Sequence, residues 1–264
     1  METDPHRWIR ALRRSQDSLD VLIATLPTER LTTQSYCTNW KISDVLSHLG
    51  SGCEIALSML DAALEGGEPP GRDDFPAIWD RWNAKSPRDV AADAVSTNER
   101  HVAALEALED NELDRLHVSV FGMDLDAAGL VSIRLGEHAV HTWDIAVALD
   151  PTARVVGAAV DLLVDQVGRL VSRTAKPDAA GFGRARVRIH TQGPERDLLL
   201  DVAETAGISP WSDDSGPADA VIDLPAEALV RLVYGRLDAA HTPPLTITSE
   251  RVRLDDLRRL LPGL

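Results

Sequence analysis

The chain has 264 residues, of which 44% are hydrophobic and 26% are charged, and its formal net charge is −15. This length permits one large domain or two small ones with their own cores. The excess of negative charge argues against a nucleic-acid-binding surface, because phosphate contacts need clustered Lys and Arg. No stretch approaches the roughly 20 apolar residues of a membrane span, and the polar N-terminus lacks the apolar core of a signal peptide, so we expect a cytoplasmic protein.

Helical periodicity predicts four long helices in the first part of the chain, with Pro or Gly near their ends. These predicted helices span residues 6–26, 42–64, 87–108 and 130–149, and a further helix follows at 155–173. The stretch EPPGRDDFP is predicted to be a loop, and residues 109–129 an irregular connection. Four helices of this length favour a bundle.

The sequence period changes beyond the Gly-rich stretch that follows Lys176, which predicts a domain boundary there. Alternating apolar residues predict strands at 186–190, 197–202, 219–224 and 245–248, and helical patterns occur at 225–235 and 254–261. We therefore expect a helical bundle at 1–176 and a small α+β domain at 181–264.

The fourth predicted helix carries two candidate metal ligands in RLGEHAVHTWD. Glu137 and His141 are four residues apart, so their side chains project from one helix face. Arg134 and Asp144 lie on the same stripe, and Asp144 is a candidate acceptor for a ligand histidine or a capping or ion-pairing residue. His138 points about 100° away around the helix and is not expected to share the metal.

Two ligands on one helix do not make a tight site, so a third must come from another element. His48 in WKISDVLSHL is the best candidate, and Asp44 one turn earlier is a candidate for orienting its imidazole. Two histidines and a carboxylate suit zinc or another divalent first-row metal with an open position. The alternative is that Glu and His occur at this spacing by chance on a solvated helix.

Two cysteines and two tryptophans are candidates for the surroundings of the site or for the core. Cys37 and Cys53 do not provide a disulfide framework and are expected to be packed or free thiols, with Cys53 a possible neighbour of the site. Trp40 and Trp143 are expected to be core anchors or walls of a cavity.

Three features occur in order along the chain: an N-terminal helix, a Trp followed by DVLSHL, and a later E-x-x-x-H-x-W-D motif. In this the chain resembles the mycothiol-dependent maleylpyruvate isomerase family, within the larger DinB-like metal-binding superfamily. The resemblance implies that His48, Glu137 and His141 bind a divalent metal, normally zinc. It also implies an α+β fold class, with an N-terminal DinB-like four-helix bundle followed by a small sterol-carrier-like α/β domain.

The resemblance further implies that an arginine of the C-terminal domain acts at the site. Arg236, which follows Gly235, is the preferred match and Arg231 the second. The alternative is that both are cations near a helix C-terminus, where they interact favourably with the helix dipole.

The resemblance implies mycothiol as the thiol cosubstrate, since a metal with an open position holds a thiol as thiolate at neutral pH. The thiolate would add to an electrophile and leave again, as in an isomerase, or stay attached, as in an S-transferase, and the ligands do not distinguish these. A non-catalytic small-molecule binding protein and a metal-activated hydrolase are the alternatives. We expect a small-molecule substrate, a low-molecular-weight thiol, no nucleic-acid or membrane partner, and a monomer or homodimer.

Overall fold

The structure is a computed structural model that describes residues 4–120 and 122–263. The chain divides into two compact units, of which the first ends at Ala159 and the second begins at Val160. Within the described residues, no helix combines the length and apolar character that crossing a bilayer requires. The predicted order, a helical bundle followed by a small α+β unit, is confirmed.

The helices of the first unit are α1 (Pro5–Ala24), α2 (Ile42–Glu65), α3 (Phe75–Asn83), α4 (Pro87–Glu106), α5 (Asp110–Leu113) and α6 (Ala127–Ala146). Four of them, α1, α2, α4 and α6, are the long helices that the sequence predicts. Helix α2 ends at Gly66, whose φ of 73° lies in the left-handed region that glycine adopts without strain. The four long helices α1, α2, α4 and α6 therefore match the prediction to within a few residues.

Two segments of the first unit differ from the prediction. Helix α3 lies where the sequence predicts no element, and it buries Phe75 and Trp82 against α2. Residues 109–129 contain α5 and an antiparallel hairpin of β1 (His117–Val120) and β2 (Met123–Asp126) instead of an irregular connection. These elements are too short to show a clear period in sequence.

The start of α6 is set by Asp126, which is also the last residue of β2. Its side chain accepts a hydrogen bond from the backbone N–H of Gly129 at 2.7 Å, as an N-cap residue does. The helix therefore begins three residues before the predicted Leu130. This cap fixes where the later turns of α6 fall.

The bundle core lies between α1, α2, α4 and α6. Helix α2 packs mainly on α4 and α1 packs mainly on α6, whereas α2 and α6 contact each other less extensively. The buried residues of one core cluster are Leu19, Leu31, Ile42, Val45, Leu46, Leu49, Trp82, Val90, Ala91, Ala94 and Ile145.

The second unit is built on a five-stranded sheet with strand order β5-β4-β3-β6-β7. Its strands are β3 (Ala185–Gln192), β4 (Arg196–Val202), β5 (Ala206–Pro210), β6 (Ala220–Pro225) and β7 (Thr246–Thr248). Strands β3 and β6 are parallel, and the other neighbouring pairs are antiparallel. Strand β5 is the one strand of this sheet that the sequence does not predict.

The helices of the second part of the chain are α7 (Gly157–Leu163), α8 (Val167–Thr174), α9 (Ala226–Val233) and α10 (Leu254–Leu260). The single helix predicted at 155–173 is thus two helices. Because α8 packs on β5 and α9, it belongs to the second unit, and the compact units divide before the predicted boundary at Lys176. The assignment of 1–176 and 181–264 as domains stays a prediction.

Candidate metal centre

Side chains from α2 and α6 form a cluster of three metal-binding groups in the first unit. Nε2 of His48 lies 3.1 Å from Oε2 of Glu137, and Nε2 of His141 lies 3.7 Å from the same oxygen. One donor atom of each residue lies within 4.8 Å of the other two. The structure therefore brings together the three ligands that the sequence predicts.

The cluster is open on one side. The side chains of His48 and Glu137 are 36% and 32% exposed, whereas that of His141 is 12% exposed. Two imidazoles and a carboxylate are a donor set that suits zinc, and the exposed side leaves room for a further ligand. The residues present therefore fit a divalent metal.

A buried carboxylate orients His141. Oδ2 of Asp144 lies 2.8 Å from Nδ1 of His141, and the Asp144 side chain is fully buried. An imidazole that donates its Nδ1–H to this carboxylate presents the lone pair of Nε2 to the cluster. This contact fits both the acceptor and the ion-pairing role considered for Asp144, and its part behind a metal ligand stays a prediction.

Cys37 also reaches this carboxylate, which the sequence does not predict. Its Sγ donates to Oδ2 of Asp144 at 3.0 Å and lies 3.9 Å from Nδ1 of His141. These three residues form a second group whose donor atoms lie within 4.8 Å of one another. Cys37 is brought here by its neighbour, because the backbone N–H of Tyr36 donates to the backbone oxygen of Asp144. No spacing in the sequence signals this contact.

The expectation that Asp44 orients His48 is wrong, whereas the expectation that Cys53 is a packed thiol is confirmed. The carboxylate of Asp44 accepts a hydrogen bond from the backbone N–H of Lys41 at 2.8 Å, so it caps α2. Cys53 is fully buried, and its thiol donates to the backbone oxygen of Thr97 on α4. Asp44 therefore caps α2, and Cys53 contributes to the packing of α2 on α4.

His138 lies outside the cluster, as predicted. It is fully buried, with Nδ1 2.8 Å from Oγ of Ser15 and Nε2 3.0 Å from Oε1 of Gln16 on α1. Burial lowers its pKa well below the ordinary histidine value, and the charge of Arg134 adds to this effect. His138 is therefore a neutral core residue.

The two tryptophans differ in their roles. The ring of Trp40 lies 5.3 Å from that of His48 and 6.0 Å from that of His141, between centroids, so it forms a wall of the cluster. Trp143 is 1% exposed, and its Nε1 donates to the backbone oxygen of Ala153. Trp143 is therefore a core anchor.

The Glu137 carboxyl is held in its ionised form. Burial acts to raise its pKa, but the hydrogen bond with His48 and the nearby charges of His141, His48 and Arg134 together lower it to about 2. Glu137 is thus a carboxylate throughout the neutral range, which is the form that binds a metal.

The candidate arginines lie in the second unit. Arg231 is 4% exposed, and its Nε and Nη2 bind both carboxylate oxygens of Glu227 at 2.7 and 3.0 Å. Its Nη1 donates to the backbone oxygen of His241 at 2.7 Å. Arg236 is half-buried, and its Nη1 donates to the backbone oxygen of Tyr234 at 2.7 Å.

Comparison with curated proteins finds relatives that match part of the chain. Two uncharacterized proteins of Mycobacterium tuberculosis, from strains CDC 1551 / Oshkosh and ATCC 25618 / H37Rv, are each 29% identical over 156 residues. The match covers 55% of this chain and spans 58% of the length of each relative.

Two solved structures share the fold over nearly the whole chain. A crystal structure of the mycothiol-dependent maleylpyruvate isomerase has a TM-score of 0.67 and 12% identity, covering 96% of this chain and 97% of that one. A histidine-to-alanine mutant of that isomerase has a TM-score of 0.65 and 12% identity, covering 92% and 96%. At this identity the likeness concerns the fold.

A family model matches the part of the chain that carries the cluster. It is described as the mycothiol maleylpyruvate isomerase N-terminal domain, and it matches residues 12–146, from α1 to the end of α6. This range contains His48, Glu137 and His141 and makes up half of the sequence. The chain therefore belongs to the mycothiol maleylpyruvate isomerase N-terminal domain family.

Proposed function

We propose that the protein is a metal-dependent and mycothiol-dependent enzyme that activates a thiolate for addition to an electrophilic small molecule. The observation that carries the proposal is the convergence of His48, Glu137 and His141, with donor atoms within 4.8 Å of one another. Membership of the family supports mycothiol as the thiol, and the fold shared with the isomerase supports an isomerase-type reaction.

Each residue of the cluster has a defined part in this proposal. Nε2 of His48, the carboxylate of Glu137 and Nε2 of His141 would hold a divalent ion such as Zn²⁺, and Asp144 fixes the orientation of His141. When bound, the ion would supply the positive charge that keeps a thiol ionised at neutral pH. The Trp40 ring packs beside both imidazoles.

Two reaction types fit this arrangement. In an isomerase the thiolate adds to an activated double bond, the carbon–carbon bond rotates, and the thiol is released with the trans product. In an S-transferase the sulfur stays attached to the electrophile. Both use the same three ligands, so the fate of the sulfur distinguishes them.

We also propose that Arg236 acts on the substrate by stabilising developing negative charge. Arg231 is the second candidate, and all three of its guanidinium nitrogens donate to Glu227 or to backbone oxygens. The Arg236→Ala variant should bind the thiol normally but turn over slowly. Normal turnover in this variant would remove Arg236 from the reaction.

Metal analysis tests the cluster itself. The purified protein should contain about one divalent ion per chain, and the double variant His48→Ala, His141→Ala should contain almost none. The matched control is His190→Ala, which removes a half-exposed histidine from the second unit. Full metal occupancy in the double variant would refute the ligand assignment.

Thiol binding tests the reaction class. Mycothiol added to the metal-loaded protein should release protons, and in a cobalt-substituted protein it should produce a sulfur-to-metal charge-transfer band. The absence of both signals with mycothiol, ergothioneine and other small thiols would favour a metal-activated hydrolase. Thiol binding without turnover of any electrophile would favour a non-catalytic binding protein.

Product analysis separates the two thiol-dependent reactions. The protein is incubated with thiol and either maleylpyruvate or an electrophilic acceptor. Free thiol recovered with an isomerised substrate identifies an isomerase, and a stable thioether identifies an S-transferase.

A further inference from the structure

Arg134 is a buried cation one helical turn before Glu137 on α6. The residue is 7% exposed. Its Nη2 donates to the backbone oxygen of Leu49, the residue after His48 on α2, at 2.9 Å. The same nitrogen lies 2.6 Å from Oδ1 of Asn98 on α4 and donates to it. One guanidinium therefore links α6, which carries it, to α2 and to α4.

This contact links two helices that have limited packing with each other. Helix α2 packs mainly on α4, and α6 packs mainly on α1. The guanidinium also passes close to the backbone of α2, since a Cβ on Gly52 would lie 3.3 Å from Nη1 of Arg134. The Arg134–Leu49 hydrogen bond therefore connects α6 directly to α2, at the residue that follows His48.

The hydrogen bonding of this buried arginine is incomplete. Among the described residues, the buried side-chain nitrogens without a hydrogen-bond partner are Nε of Arg134 and Nε2 of His101. A buried charge with incomplete hydrogen bonding costs free energy, which the hydrogen bonds to Leu49 and Asn98 offset only in part. A long apolar side chain would fill the same space without this buried charge, but it would leave Oδ1 of the buried Asn98 without its donor.

We propose that Arg134 is a positioning residue that holds α2 and α6 at the separation which keeps His48 beside Glu137 and His141. The inference rests on the proposed function, since its consequence is measured through the metal. Metal sites tolerate only small changes in ligand distance, so a modest shift of α2 against α6 weakens binding. Arg134 acts through the backbone of Leu49 and does not touch the reacting groups.

The test is the Arg134→Met variant, which keeps the length of the side chain and removes its donors. Three quantities are measured: zinc affinity by competition with a chromophoric chelator, the absorption spectrum of the cobalt form, and the Tm of the metal-free protein. We expect zinc affinity to fall about 10- to 100-fold and the cobalt spectrum to change. The Tm of the metal-free protein should fall only modestly, because one buried acceptor, Oδ1 of Asn98, loses its donor.

Two further variants separate the loss of the Arg134–Leu49 hydrogen bond from the loss of charge and from disturbance near His48. Arg134→Lys keeps the charge but lacks the fixed planar fork, so its zinc affinity should lie between those of wild type and Arg134→Met. The control is Ser47→Ala, at the residue before His48. It removes a 2.7 Å hydrogen bond from Ser47 to Asn83 on α3 and leaves the Arg134 contacts in place. Its zinc affinity should stay within about twofold of wild type.

The outcomes distinguish this inference from the proposed function. If the wild type binds neither zinc nor cobalt, the proposed function fails and the inference fails with it. If the wild type binds metal and Arg134→Met binds it equally well with the same spectrum, or if Ser47→Ala loses as much affinity, only the inference is overturned. If Arg134→Met does not fold, Asn98→Ala is measured in its place. A several-fold loss of zinc affinity supports the positioning role of Arg134, and unchanged affinity overturns it.

Discussion

Acid should destabilise the metal-free bundle through its buried histidines, and His101 on α4 provides the sharpest test. The residue is 2% exposed, and its Nε2 has no hydrogen-bond partner. Burial and the charge of Arg134 lower its pKa from 6.5 to about 3. Below pH 6.5 the unfolded chain binds a proton at this histidine and the folded chain does not, so stability falls as the pH is lowered from 6.5 towards 3.

The size of this effect follows from the shift. Each pH unit in this interval costs about 1.4 kcal/mol of unfolding free energy per histidine. At pH 5, which is about 1.5 units below the pKa of the unfolded state, His101 should therefore cost about 2 kcal/mol. A loss of this size is a large part of the stability of an ordinary domain.

The assay compares wild type with His101→Leu, because the difference between them cancels the titration of all other groups. Urea unfolding of the metal-free proteins is followed at pH 7 and pH 5 by tryptophan fluorescence, which reports mainly on the bundle since only Trp211 lies in the second unit. Wild type should lose about 2 kcal/mol more than the variant between the two pH values. Equal losses in both proteins would refute the reasoning.

Three further predictions follow from particular contacts. Asp144→Asn should lower zinc affinity about tenfold in a chelator competition, because the charge beside Nδ1 of His141 is lost; unchanged affinity would contradict the orienting role. Gly50→Ala should lower the Tm measured by circular dichroism, since its Cβ would lie 2.2 Å from the Trp82 ring and crowding of about 1–3 kcal/mol exceeds the gain in helix propensity; a higher Tm would contradict it. A chain ending at Lys176 should stay helical and bind metal but lose turnover, whereas loss of metal and helicity together would show that the predicted boundary is misplaced.

The sequence by itself determined the features that depend on local spacing. Helices α1, α2, α4 and α6 show a long apolar period bounded by Pro or Gly, and both quantities are properties of neighbouring residues. The placement of Glu137 and His141 on one face is equally local, because it depends only on one turn of helix. The expectation that His138 points away from the cluster follows from the same kind of reasoning.

The tertiary structure decided the contacts between distant parts of the chain, except for the meeting of His48 with Glu137 and His141, which the family resemblance implies. Helix α3 packs on α2 where Gly50 leaves space for the Trp82 ring, and its nine residues are too few to show a clear helical period in the sequence. Cys37 reaches Asp144, and Arg134 reaches Leu49, across separations of 107 and 85 residues. Such contacts depend on how helices pack and on which backbone oxygens are left open to a donor. Only the folded chain defines these properties, because packing is set by the side chains of several elements at once.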